Sequence, residues 1–272
     1  MKKNVTVFVL ILSLFLLFGC TKQIIKPTPT PVLDNILQRG ELVVGAAAGM
    51  PALNIKAKDG EIIGFEADLA KLIADGMGVK LRFKELKFDK LLSSLQAGEV
   101  DMILSYMTMT PKRNLKVAFV GPYFISGKAF LTKIETIAKA EEATEVNSAN
   151  VRLTALKGST SQYFIEAVLP KVQFIPAEDY YEAVDLVLKD KVHAMVADYP
   201  ICVVSVLRYP DQGLLSVVTP LTYEPYGIAL PSYDPHLVNW LENFLAILEE
   251  SGALDELTER WFGDASWLTR LP

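Results

Sequence analysis

Hydroxyl, guanidinium and carboxylate groups fall at corresponding places in two halves of this chain. In the first half, Ser105, Tyr106, Thr108 and Thr110 follow the apolar run Val100 to Leu104, and Pro111-Lys112-Arg113 comes next. An apolar run entered from Gly98 predicts a buried strand, and Pro111 predicts the start of a short helix. The hydroxyls then lie just past a strand's carboxyl end, where ligands of open α/β sheets sit. Beside them is one guanidinium, whose planar fork suits a carboxylate. That is chemistry for holding a small anion. In the second half, Gly158-Ser159-Thr160 is a turn before a helix, and Asp198 ends the run Val192 to Ala197. Singly, Arg113 reads as a solvated helix residue and Asp198 and Thr160 as helix N-caps. Together, on matching edges of two similar units, they read as halves of one site.

Several catalytic patterns are absent. The chain has no glycine-rich dinucleotide or phosphate loop, no HExxH and no GxSxG elbow. His193 and His236 are the only histidines and fall in different halves, so neither a metal nor a cofactor is expected.

The elements that must position these groups follow from periodicity. Gly64 to Gly78 predicts a helix with Phe65, Leu69, Leu72, Ile73 and Met77 on one face and Glu66 and Asp68 in its first turn. Val79 to Phe83 reads as a strand, Asp89 to Ala97 as a helix, and Val100 to Leu104 as the next strand. The same order recurs in strand Val151 to Leu156, helix Ser161 to Leu169, strand Val172 to Ile175, helix Asp179 to Lys189 and strand Val192 to Ala197. Alternation of this kind implies mostly parallel sheets, and its repetition implies two lobes. Between them, Ile134 to Asn150 reads as a solvated excursion. Before the first unit, Asp34 is expected to cap a helix ending at Gly40, and Lys58-Asp59-Gly60 reads as a hairpin turn. After the second come a strand at Tyr226 to Leu230 and two helices, the first opened by Asp234-Pro235.

The first twenty residues stand apart. Lys2 and Lys3 precede an apolar stretch, Val5 to Phe18, of signal-peptide rather than membrane-spanning length. Leu17-Phe18-Gly19-Cys20 resembles a bacterial lipobox, which makes Cys20 the expected lipidated first residue; an ordinary signal peptide with an incidental cysteine is the alternative. Pro27, Pro29 and Pro31 then predict an extended spacer. Without Lys2 and Lys3, 25 basic residues stand against 32 acidic ones, a formal charge of −7 that argues against a nucleic-acid partner. Cys202 is the only other cysteine, and its apolar neighbours predict a buried, inert thiol. At 272 residues, 51% of them hydrophobic, the chain can bury one large core or two moderate ones.

Three stretches carry a family resemblance: GFEADLAKLIADGMGVKLRF, LQAGEVDMILSYMTMTPKR and VAFVGPYF. From Asp34 to Gly263 the chain resembles the family 3 extracellular solute-binding proteins, the amino-acid-binding components of ABC importers. The resemblance implies a type II periplasmic-binding-protein (Venus flytrap) fold, α/β, with two lobes and crossovers near Gly127 to Lys133 and Thr219 to Tyr226. The expected organisation is a signal peptide over 1–19, lipidated Cys20 and tether over 20–33, one lobe over 34–127 and 226–272, and the other over 128–225.

The same resemblance implies roles. Arg113 pairs with the α-carboxylate of a small amino acid, Thr108 and Ser105 add hydrogen bonds, and Ser159 and Thr160 hold the carboxylate from the other lobe. Asp198 accepts the α-ammonium, and Phe88 packs on the ligand side chain, unless Phe88 is a hydrophobic staple for the helix after it. Ala47 and Met50 stand where many members carry an acidic and an aromatic residue, which disfavours dibasic ligands, and Tyr106 narrows the pocket. The implied partners are an ABC permease and, through the lipid, a membrane; the expected state is a monomer. A cyclohexadienyl dehydratase on the same fold is the rival; Tyr199 to Leu207 offers no Asp, Glu, His or Lys as general acid, which leaves acids such as Glu178 for that role. A sensor feeding a signalling receptor is the third reading.

Overall fold

The computed structural model describes residues 30–217 and 220–271. The signal peptide, Cys20 and the tether as far as residue 29 lie outside them. The first helix, α1 (Pro31–Arg39), starts earlier than Asp34 predicts. Pro31 fits the first turn, where its missing N–H costs nothing. The capping carboxylate is remote: Asp234 accepts the amides of Val32 and Leu33 at 2.9 Å each, and its other oxygen caps a second helix at Leu237. Val32, Leu33 and Ile36 are buried, so these residues belong to the folded body rather than to a spacer.

The chain continues through β1 (Glu41–Ala46), β2 (Gly49–Met50), β3 (Asn54–Lys56), β4 (Ile62–Ile63), α2 (Phe65–Met77), β5 (Lys80–Glu85), α3 (Leu91–Gln96), β6 (Met102–Ile103), α4 (Pro111–Asn114) and β7 (Ala118–Ser126). It then crosses at Gly127 into β8 (Lys128–Thr132), α5 (Glu135–Ala138), β9 (Arg152–Leu156), α6 (Thr160–Val168), β10 (Gln173–Ala177), α7 (Tyr180–Leu188), β11 (Ala194–Asp198), α8 (Tyr199–Arg208) and β12 (Leu215–Ser216). It returns through β13 (Glu224–Leu230) to α9 (Pro235–Glu250) and α10 (Ala253–Thr258).

Two five-stranded sheets result, in the orders β5-β1-β6-β13-β7 and β10-β9-β11-β8-β12. The two-lobe expectation holds, and each sheet is mostly parallel, with four strands in one direction and a single opposed strand. In the first, β1 runs parallel to β5 and β6, while β13 is antiparallel to β6 and β7. In the second, β9 is parallel to β10 and β11, while β8 is antiparallel to β11 and β12. The antiparallel strands are the ones that cross between lobes, so their direction is set by the crossing rather than by a helical return.

Local sequence explains the elements around the site. Phe65, Leu69 and Ile73 of α2 are fully buried, and each such side chain contributes roughly 1.5–3 kcal/mol. Gly64 must be glycine: its φ is 132°, and an added Cβ would stand 2.1 Å from the Leu53 carbonyl oxygen. The segment from Ile134 to Asn150 is less solvated than its composition predicts, because Ile137, Ala140, Ala143 and Val146 are buried.

Candidate functional site

The edge where β6 ends is shaped by a buried carboxylate. Glu66, in the first turn of α2, is fully buried and accepts hydrogen bonds from Asn54 Nδ2, the Tyr106 amide and the Tyr123 hydroxyl. Burial raises its pKa to about 7, against the lowering effect of those three bonds. Asn54 in turn accepts the Ala48 amide at 2.8 Å. Ala48 and Tyr106 both sit in the left-handed region, with φ of 52° and 42°, which costs a β-carbon about 1–2 kcal/mol. The Glu66 network thus holds two unfavourable turns in place and fixes where the Tyr106 ring points. Periodicity carried a signal for this: Glu66 lies three, four and seven residues before Leu69, Ala70 and Ile73, on the buried face.

Tyr106 stacks on Phe88, with centroids 5.0 Å apart and planes 10° apart. Phe88 is therefore part of an aromatic wall, not a staple alone. The guanidinium of Arg113 lies 5.7 Å over the Phe88 ring. Arg113 is 7% exposed, so the solvated-helix reading fails. Its Nη1 donates to the Thr108 carbonyl at 2.8 Å and its Nη2 to the Gly158 carbonyl of the other lobe at 3.4 Å. Among the described residues no carboxylate lies within ion-pair distance of it, and burial depresses its pKa. A buried guanidinium that meets only carbonyls and a ring face keeps its capacity for an anion. The hydroxyl of Thr110 accepts the Arg113 amide and so caps α4.

The second lobe presents Ser159 as the N-cap of α6, its hydroxyl accepting the Gln162 amide at 3.2 Å. Thr160 is thereby not the cap. Its Oγ accepts from Lys128 Nζ at 2.7 Å, donates to Glu224 Oε2 at 3.0 Å and stands 3.3 Å from Thr108 Oγ of the first lobe. Asp198 occupies the N-cap position of α8, but its side chain makes no capping bond. It accepts from Lys128 Nζ at 2.6 Å, and Glu224 lies 3.2 Å from the same nitrogen. Lys128 is 1% exposed. Sequence reasoning missed both Lys128 and Glu224. Their one signal is position: each charge opens an otherwise apolar strand at a lobe crossing, where no surface is left to solvate it.

Met50, Phe88, Tyr106, Thr108, Ser159, Thr160 and Asp198 line one small interlobe cavity of about 20 Å³, completed by apolar Leu156 and Met195. That is room for about one water, so a larger ligand must part the lobes to enter. A second space of about 460 Å³ shares Phe88, Tyr106 and Leu156 with it and leads outward past Ala47, Glu85 and Glu178. Ser105 is not brought to this lining: it is fully buried, and its Oγ accepts the Ala47 amide at 3.0 Å, fastening β1 to β6. His193 is structural, its Nδ1 accepting the Arg152 amide at 2.8 Å. Cys202 is buried, and desolvation pushes its thiol well above the usual range.

Interlobe contacts flank the cleft. Lys87 pairs with Glu178 at 2.8 Å, and Lys112 lies 5.0 Å over the Tyr163 ring. The walls are thus apolar and aromatic and the hinge side carries Lys128, Asp198 and Glu224, whereas Arg113 is outside the lining of the small cavity and borders an outer hollow with Phe88, Thr160 and Lys157. A cleft lined in this way between two lobes is suited to hold a small polar molecule with an anionic end.

Residues 42–264 match the model of the bacterial extracellular solute-binding proteins, family 3. The ABC transporter glutamine-binding protein GlnH of Bacillus subtilis (strain 168) is 29% identical over 249 residues, which cover 89% of each chain. A crystal structure of a binding component of an ABC transporter from Wolinella succinogenes, complexed with lysine, superposes with a TM-score of 0.80 at 36% identity, covering 85% of this chain and 99% of that one. The ancestral amino acid-binding protein AncCDT-1, a precursor of cyclohexadienyl dehydratase, gives a TM-score of 0.78 at 35% identity, with the same coverage.

Proposed function

The chain belongs to the bacterial extracellular solute-binding proteins, family 3, and from that membership we propose that it takes up one amino acid between its lobes and delivers it to an ABC permease. Binding of amino acids in service of ABC transport is the common property of its relatives. The observation that carries the reading to this cleft is Arg113, a guanidinium buried at 7% exposure with no carboxylate partner among the described residues. In our reading Arg113 receives the α-carboxylate with Ser159 and Thr160, and Asp198 shares the α-ammonium. Thr108 adds its hydroxyl, Ser105 supports the edge from behind, and Tyr106, Phe88 and Met50 face the side chain.

The ligand contacts both lobes only when they close, so its differential affinity shifts the balance toward the closed form. An amino acid with an uncharged side chain fits best, because the lining away from Asp198 is Met50, Phe88, Tyr106, Leu156 and Met195. The Wolinella relative holds lysine; here Ala47 offers no acid to a second cation. The chain acts as a binding protein rather than an enzyme, a reading supported by its family membership and its glutamine-binding relative. It works as a monomer outside the cytoplasm, held to a membrane through lipid on Cys20.

Calorimetry across the proteinogenic amino acids tests this. Binding of one or more uncharged amino acids is expected; saturable binding of lysine or arginine with no uncharged competitor overturns the ligand class. Formation of phenylpyruvate from prephenate by the purified protein overturns the binding-protein reading.

A further inference from the structure

The hinge end of the cleft contains a buried ammonium held by partners within the protein. Lys128 Nζ meets Asp198 Oδ1 at 2.6 Å, Thr160 Oγ at 2.7 Å and Glu224 Oε2 at 3.2 Å, at 1% exposure. Two of its donors are hydrogen-bonded, to Asp198 and Thr160, and Glu224 pairs with it as an ion at 3.2 Å. Held by these three groups, it acts on a ligand through its charge. Asp198 lines the cavity, Lys128 and Glu224 meet it through Asp198 and Thr160, and Arg113 lies behind Thr108; the formal charges of these four sum to zero, and each is at most 8% exposed.

In so desolvated a place a net charge is felt strongly, because little solvent screens it. A zwitterion with an uncharged side chain leaves that sum unchanged on entering. A dibasic amino acid adds one unpaired positive charge, and an acidic one adds a negative charge. From this arrangement, and resting on the amino-acid reading above, we infer that Lys128 is the residue that sets the net charge of ligand the cleft accepts, with Glu224 as its counterweight.

The inference makes opposite predictions for two neighbouring residues. Lys128→Met keeps an unbranched side chain one atom shorter and leaves the cleft one negative charge in excess; Glu224→Gln leaves it one positive charge in excess. Glutamine, lysine and glutamate are similar in length and serve as probes. Calorimetric affinities on the full chain are expected to show the lysine-to-glutamine ratio rising at least tenfold in Lys128→Met, and the glutamate-to-glutamine ratio rising at least tenfold in Glu224→Gln. The double variant, neutral again, is expected to return both ratios toward the wild type. A merely structural lysine lowers all three affinities together and moves neither ratio.

Ratios within twofold of wild type in both single variants overturn the proposal. Should Lys128→Met fail to fold, as removal of one partner of a buried pair can cause, Glu224→Gln decides alone. A wild-type protein that binds none of the twenty amino acids overturns the amino-acid reading and this inference with it; wild-type binding with unmoved ratios overturns the inference only.

Discussion

The hydroxyls of Thr108 and Thr160 stand 3.3 Å apart, one from each lobe, in the floor of the cleft. Thr108 also bridges to Tyr226 of β13 in the first lobe, and Thr160 hydrogen bonds with Lys128 and Glu224 at the hinge. The two lobes therefore meet, beside the strands that cross between them, in a single hydrogen-bonded patch.

Arg113 is the residue whose loss is expected to hurt binding most. Truncating one partner of a desolvated charge pair costs about 2–5 kcal/mol, so Arg113→Ala is expected to weaken the best ligand by well over tenfold in calorimetry. Arg113→Lys keeps a charge but loses the planar fork that also stacks on Phe88, and is expected to recover only part of the loss. Unchanged affinity in Arg113→Ala removes this residue from the site.

Gly158 is expected to act as a spacer between the lobes. Its φ is +75°, and an added Cβ would meet Asp89 Cβ of the first lobe at 3.0 Å and its Cα at 3.3 Å. Gly158→Ala thus obstructs closure as well as straining its own turn. Small-angle scattering with saturating ligand is expected to show a smaller compaction than in the wild type, alongside a weaker affinity. Full compaction at unchanged affinity shows that the lobes do not need this close approach.

Glu66 predicts a pH dependence of stability. Its pKa rises from 4.5 to about 7 on folding, because burial outweighs its hydrogen bonds from Asn54, Tyr106 and Tyr123. No cation faces it among those partners. The folded state holds the proton more tightly, so the stability this group lends is complete below pH 4.5 and is lost as pH rises through about 7. The full effect amounts to about 3 kcal/mol. Scanning calorimetry is expected to show the melting temperature falling between pH 5 and pH 8, and that fall shrinking in Glu66→Gln; an identical slope in the variant rules the group out as its source.

Much of the fold is legible because burial leaves a periodic trace. The helix at Phe65–Met77 and the doubled strand-helix order can be read from the spacing of apolar residues, and the structure has them within one or two residues of expectation. The direction of the crossing strands is not legible, because apolar β8 and β13 look the same whether they run parallel or antiparallel. Nor is the start of α1, whose capping carboxylate comes from Asp234, two hundred residues away.

For the site, sequence alone determines an inventory: hydroxyls and a guanidinium after one strand, a Gly-Ser-Thr turn and a carboxylate in the second unit, and no catalytic signature. Local residue types and spacings are enough for that, since strand ends and helix starts are set within a few residues. Tertiary structure decides which of those groups face one another. It turns Ser105 inward to hold Ala47, turns Asp198 away from capping and onto Lys128, and brings Glu224 beside both. The reason is physical: a buried charge must find its partner in three dimensions, and Lys128 and Asp198, seventy residues apart, are neighbours only because β8 and β11 pair.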